Sequence, residues 1–225
     1  MATAAASDRI VHLRQLLAGH LEAATPNPEE IYPTGLPALD EHGLPRGALT
    51  EIVSTPAAGP GGTLLLYGLL HASLAEGRRA VLIDGKDAFA PAGLPQAELD
   101  RLLWVRCRDA WEALKAADLI VRDGNIPLVV LLLALNPEGE CRRLPATAWH
   151  RLQMLAEKAA VALVVFTARG QVGCARLRLS AGGAFPLEKL HALRGELWPA
   201  LEVRLERRRR GRKGGDEELR RAVCA

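Results

Sequence analysis

The chain has 225 residues, a formal net charge of +3 and a composition that is 49% hydrophobic, enough apolar material for one sizeable folded domain with short appendages. So small a net charge excludes an overall field for nucleic acid, and any basic contact has to be local. The four cysteines, Cys107, Cys141, Cys174 and Cys224, are too widely spaced for a zinc cluster or a disulfide framework, which fits a reducing compartment. Asp8, Arg9 and Arg14 interrupt what a signal peptide would need as an apolar stretch. No run reaches the roughly 18 apolar residues of a membrane span, so a cytoplasmic protein without membrane contact is expected.

Residues 7–24 read as one amphipathic helix, capped by Ser7, with Ile10, Leu13, Leu16, Leu17 and Leu21 on one face. That face either packs on the protein's own core or docks on a partner or a second copy. The proline-rich stretch that follows is a linker, so residues 1–30 form a leading segment. A core is expected over residues 31–210 and a basic, then acidic, flexible tail over 211–225. Leu36 and Leu39 stand as small anchors ahead of the first central strand, residues 49–53.

Residues 47–63, GALTEIVSTPAAGPGGT, join this strand through a glycine turn to the apolar run LLLYGLLHASLA, a buried helix. Strand, glycine loop and helix is the layout of a phosphate-binding loop, whose backbone N–H groups and helix N-terminus cradle phosphates. Two registers are open. If Gly59 ends the loop, Pro60 and Gly61 stand where lysine and Ser/Thr are required; if Gly61 does, Gly62 and Thr63 do. Neither register supplies the lysine.

Residues 79–84 form a second strand, and residues 102–107 a third, although 98–106 also fits a helix. Asp109 caps a helix that Gly124 stops. Residues 127–135, PLVVLLLAL, form a strand covered on both faces, because nothing polar alternates with its apolar residues. Pro145 starts a further helix, and residues 161–167 form the next strand. Strands alternating with helices predict a doubly wound, mostly parallel α/β sheet. CARLRLS and LEVRLERR alternate apolar and charged residues and are expected as antiparallel additions at the sheet edge.

The stretch TGLPALDEHGLPRGALTEIV is similar to the entry of the RecA/KaiC-type ATPase core, and the later strands follow in the order of that core. The resemblance runs from about Tyr32 to Arg210. Within this group the leading helix, the short length and the basic ending most resemble ImuA proteins, the RecA-like accessories of a bacterial mutagenic DNA-repair cassette. The resemblance implies a water-orienting glutamate where this chain has Lys86, and a magnesium aspartate where it has Leu131 or Leu132. With the loop lysine also missing, phosphoryl transfer by the usual mechanism is not expected, since it needs lysine, metal and base together. The chain is therefore expected to be a non-enzyme without a cofactor.

Gly59, Gly61, Gly62, Thr63 and Lys86 either keep a degenerate anion site or merely let the chain turn. Arg204, Arg207, Arg208, Arg209, Arg210, Arg212 and Lys213 either contact DNA or an acidic partner or form a solvated end. The six histidines show no metal spacing, and Trp104, Trp111, Trp149 and Trp198 read as core or edge packing. The ImuA resemblance implies an inactive Y-family-like polymerase partner (ImuB) and an error-prone replicative-type polymerase in the SOS response to DNA damage. The alternatives are a division inhibitor of the SulA type and an ATPase with a displaced active site using Lys86.

Overall fold

The computed structural model describes residues 31–55, 60–182 and 187–209. The expected leading helix, Gly59 of the glycine turn, and Arg210, Arg212 and Lys213 of the tail lie outside the described residues. A two-stranded ribbon, β1 (Ile31–Tyr32) and β2 (Leu44–Pro45), brackets the short helix α1 (Pro37–Asp40). The main sheet contains β3 (Ala48–Val53), β4 (Ala80–Asp84), β5 (Leu102–Arg106), β6 (Leu128–Leu132), β7 (Ala162–Thr167), β8 (Leu177–Gly182) and β9 (Glu202–Arg208). Their spatial order is β5-β4-β6-β7-β3-β8-β9.

Helix α2 (Gly61–Ala75) covers one face of this sheet, together with Leu36, Leu39 and the small helix α7 (Arg194–Leu197). Helices α4 (Ala110–Asp123) and α6 (Ala146–Ala159) cover the other. Two shorter helices, α3 (Gln96–Leu99) and α5 (Glu138–Arg142), lie in the connections. Strands β4, β6 and β7 are buried along their whole length, as runs without polar alternation require when helices pack on both sides. Each buried Leu, Ile or Val there contributes about 1.5–3 kcal/mol.

Local signals place α4 closely. The Asp109 carboxylate accepts the Glu112 backbone N–H at 2.8 Å, and Gly124 ends the helix at φ 72°, in the left-handed region. Ala159 stands 3.1 Å from where a Cβ on Gly124 would lie. Gly124→Ala is therefore expected to cost about 1–2 kcal/mol, read as a lower urea midpoint with unchanged secondary structure.

Residues 102–106 are strand rather than helix, in parallel register with β4. The end of the sheet differs from expectation in one respect. Strand β9 is antiparallel to β8, but β8 itself runs parallel to β3. Alternating burial along β8 reports a one-sided strand and says nothing of its direction. The direction depends on the short connection 168–176, which crosses back over β3 and brings the Arg176 N–H to the Leu49 carbonyl at 2.9 Å.

A buried carboxylate anchors that crossover. Glu51, in the middle of β3, is 0% exposed and accepts bonds from the Gln171 and Val172 backbone N–H groups at 2.8 and 3.0 Å. The Thr167 hydroxyl donates to it at 3.0 Å and the Arg178 Nε at 2.6 Å. One carboxylate oxygen gathers Thr167 and the two crossover N–H groups and the other takes Arg178, so the charge is both paired and hydrogen-bonded.

Trp149 packs in the core, whereas Trp111 is 46% exposed on the outer face of α4. Burial pushes the thiols of Cys107, Cys141 and Cys174 above their ordinary range, which disfavours the thiolate. Among the described residues no helix is long and apolar enough to cross a membrane.

Candidate functional site

At the carboxyl ends of β3, β6 and β7 the chain forms a concave site beside the start of α2. The Ser54 N–H donates to the Thr167 carbonyl at 2.8 Å, and the Thr55 hydroxyl to the Ala168 carbonyl at 3.0 Å, so the exit of β3 is tied to the end of β7. Helix α2 then begins at Gly61, with Pro60 as its N-cap and no side-chain cap bond. Pro60 itself has no N–H to offer an anion.

The first two helical residues are packed as glycines. A Cβ on Gly61 would lie 2.2 Å from the Gly182 carbonyl oxygen, and one on Gly62 would lie 1.5 Å from Ser54 Oγ. The register in which Gly62 takes the lysine position is thus one in which Ser54 fills the space a lysine's Cβ would need. Thr63, the next residue, is exposed and reaches the cavity.

The cavity here holds about 460 Å³. Its walls are Leu66 and Tyr67 from α2, Phe89 from the loop after β4, Leu132 and Ala134 from the end of β6, and Phe166 from β7. Ser54 and Thr63 contribute the hydroxyls. Leu132, one of the positions where the resemblance implies a metal aspartate, is a wall residue, and Leu131 is buried on the opposite face of the sheet. Among the described residues no group of His, Cys, Asp and Glu could hold a metal ion.

Lys86 sits in the loop following β4, whose Ala88 and Phe89 line this cavity. The buried Asp84 carboxylate shapes that loop by accepting the Lys86 and Phe89 backbone N–H groups at 3.3 and 2.8 Å. The Lys86 ammonium lies 4.0 Å from Glu140 Oε1, and Glu140 also accepts from the Asn136 amide at 3.2 Å. Asn136 in turn donates to the Gly85 carbonyl at 2.7 Å. The loop cation therefore faces α5. Gly62 and Thr63, with Gly61 next to them in the chain, border the cavity, and Lys86 is not among its lining residues.

The arginines of β9 divide. Arg204 is exposed and pairs with Glu202 at 2.9 Å. Arg207 is half-buried and donates to the Val172 and Gly173 carbonyls, both at 3.2 Å. Burial, with the neighbouring Arg178 and Arg209 charges, pulls its guanidinium below the ordinary arginine value. Arg208 donates to the His42 carbonyl. Arg209 is exposed, and its backbone N–H donates to the Arg176 carbonyl at 2.7 Å. Arg207 and Arg208 thus serve the crossover and the α1 corner, while Arg204 and Arg209 present their charge to solvent.

Sequence reasoning passed over Glu51, Ser54, Asn136 and the aromatic walls Tyr67, Phe89 and Phe166. For Glu51 a signal existed, a single charge inside an otherwise apolar strand. The others come together only in space.

A mostly parallel α/β sheet with a glycine turn leading from a central strand into a buried helix is the architecture of the doubly wound α/β class. Within that class the core is RecA-like. The chain is 37% identical over 121 residues to Protein RecA of Leifsonia xyli subsp. xyli (strain CTCB07), a match covering 50% of this chain and 33% of that protein. It is 32% identical over 124 residues to Protein RecA of Streptomyces coelicolor (strain ATCC BAA-471 / A3(2) / M145), covering 52% and 33%. Protein RecA of Frankia casuarinae (strain DSM 45818 / CECT 9043 / HFP020203 / CcI3) is 35% identical over 121 residues, covering 50% and 34%. The chain therefore spans about a third of the length of the curated relatives it matches. No family model matches it.

Proposed function

We propose that this chain is a non-catalytic, RecA-like accessory protein of mutagenic DNA repair, acting by docking on polymerase-type partners rather than by turning over nucleotide. The observation that carries this reading is the closed lysine position. Ser54 fills the space at Gly62, and the strand ends that would present metal and base are leucine, alanine and a lysine held toward Glu140. Phosphoryl transfer depends on positioned charge, and each charge that would supply it here is missing or turned elsewhere.

The likeness to RecA proteins supports a place in DNA repair, and the resemblance to ImuA supports translesion synthesis within the SOS response. On this reading the partners are an ImuB-like inactive Y-family polymerase and an error-prone polymerase. On β9 and just beyond it, the exposed Arg204 and Arg209 are cations that could meet DNA or an acidic partner surface.

Calorimetric titration with ATP and magnesium, followed by a phosphate-release assay, tests the catalytic half. The expected result is no heat of binding and no phosphate; turnover would overturn it. Affinity purification from cells under DNA damage tests the docking half. Recovery of a polymerase-like partner is expected, and its consistent absence would defeat the accessory reading.

A further inference from the structure

We propose that the cavity between α2 and the ends of β6 and β7 is a binding site for an uncharged, largely apolar small molecule. The inference rests on the reading that nucleotide no longer uses this place, and asks what its walls now fit. At about 460 Å³ the cavity lies within the range of small-molecule sites, roughly 300–1,000 Å³. It sits beyond the carboxyl ends of parallel strands, where ligands of open α/β sheets bind.

Its chemistry is set by three features. First, no acidic or basic side chain lines it among the described residues. A phosphate chain entering such a site would lose its hydration without a counter-ion, at a cost of many kcal/mol. Second, Tyr67 and Phe89 stack at 5.1 Å with their planes 23° apart, and Phe166 supplies a further aromatic wall. The Tyr67 hydroxyl is already committed, donating to the Ala90 carbonyl at 2.6 Å and accepting its N–H at 3.1 Å. Tyr67 is thus covered by Phe89 and by the Arg194 guanidinium, 4.2 Å from its ring centroid, and the rings act as an apolar lining that favours apolar guests. Third, the hydroxyls of Ser54 and Thr63 can orient one polar edge of a guest without demanding charge.

The test uses N-phenyl-1-naphthylamine, a neutral aromatic fluorophore, titrated into the full chain. A saturable, one-to-one rise in its fluorescence is expected, and ATP with magnesium should not displace it. Ala88→Trp and Ala134→Phe each fill the cavity from a different wall. Ala88 is exposed, so its variant keeps the fold even if the buried Ala134 variant does not. Each folded variant, checked by circular dichroism and its urea midpoint, should bind the probe at least about tenfold more weakly.

The absence of saturable binding to the folded wild type would overturn the proposal. So would binding that the cavity-filling variants leave unchanged, which would place the probe on a surface patch such as the exposed Trp111 and Leu119. Displacement by ATP would return the cavity to nucleotide and overturn the proposal, while the non-catalytic reading would still be decided by phosphate release. Failure of the probe together with silence toward ATP would sink this inference alone.

Discussion

Glu51→Ala should remove about 3–5 kcal/mol of folding stability, because it leaves the guanidinium of Arg178 beneath the surface without its counter-charge. That is a large share of the roughly 5–15 kcal/mol that holds a domain folded. Arg178 is only 17% exposed at its side chain and Glu51 is 0% exposed, so water cannot replace the lost partner cheaply. The same carboxylate receives two backbone N–H groups of the crossover, and these also become unsatisfied. Urea unfolding followed by circular dichroism reads the loss directly. Glu51→Gln keeps the shape and one acceptor and should fall between alanine and wild type. Replacing both Glu51 and Arg178 with leucine should recover much of the deficit, since a paired buried charge is often no better than apolar packing. A wild-type midpoint for Glu51→Ala would mean that the crossover is held by its other contacts.

Gly62→Lys, the substitution that rewrites the loop toward a working phosphate cradle, is expected to damage the protein rather than repair it. Its Cβ would meet Ser54 Oγ at 1.5 Å and Ser54 Cβ at 2.3 Å, distances no side chain tolerates, so the strand end or the helix start has to move. Forced overpacking of this kind costs about 1–3 kcal/mol. Adding Ser54→Gly removes the obstructing atoms and should restore most of the midpoint. ATP affinity, read by the same calorimetric titration, should stay undetectable in the single variant. Even in the double variant, the positions where the resemblance implies a metal ligand and a base remain Leu131 or Leu132 and Lys86. ATP binding by Gly62→Lys alone would show that Ser54 yields easily and that the site is closer to a working one than its packing suggests.

The parts of this fold that were legible share a cause. The chain writes them locally. Asp109 and Gly124 mark both ends of α4 by short-range hydrogen bonding and a positive φ. The unbroken apolar runs of β6 and β7 declare burial on both faces, because no other environment accepts them. The direction of β8 was not written locally. It follows from Glu51 gathering the crossover, an interaction between residues more than a hundred positions apart. The absence of a lysine at the glycine turn could be read from residues alone, but the closure of its place by Ser54 could not. Space is a property of two segments at once, and here the second segment is the end of β3. The cavity was hidden for the same reason, since its walls come from α2, β6, β7 and the loop following β4. Of the basic cluster, sequence gave the charges but not their commitments. Arg207 and Arg208 spend theirs on backbone carbonyls of distant turns.

The strand order β5-β4-β6-β7-β3-β8-β9 also has a bearing on how the protein is made. Strand β3 leaves the ribosome before any other strand of the main sheet, yet both its neighbours, β7 and β8, are encoded in the second half of the chain. Until they emerge, its two edges and the Glu51 carboxylate have only water as a partner. Such long-range pairing is slow to form and leaves the nascent chain exposed to misassociation, whereas β4, β5 and β6 can assemble with α4 from one contiguous stretch. Synthesis should therefore pass through a stage in which β5, β4 and β6, three of the seven strands, are paired while β3 is still solvent-borne. The ion pair with Arg178, which comes out of the ribosome late, then acts as the closing clasp.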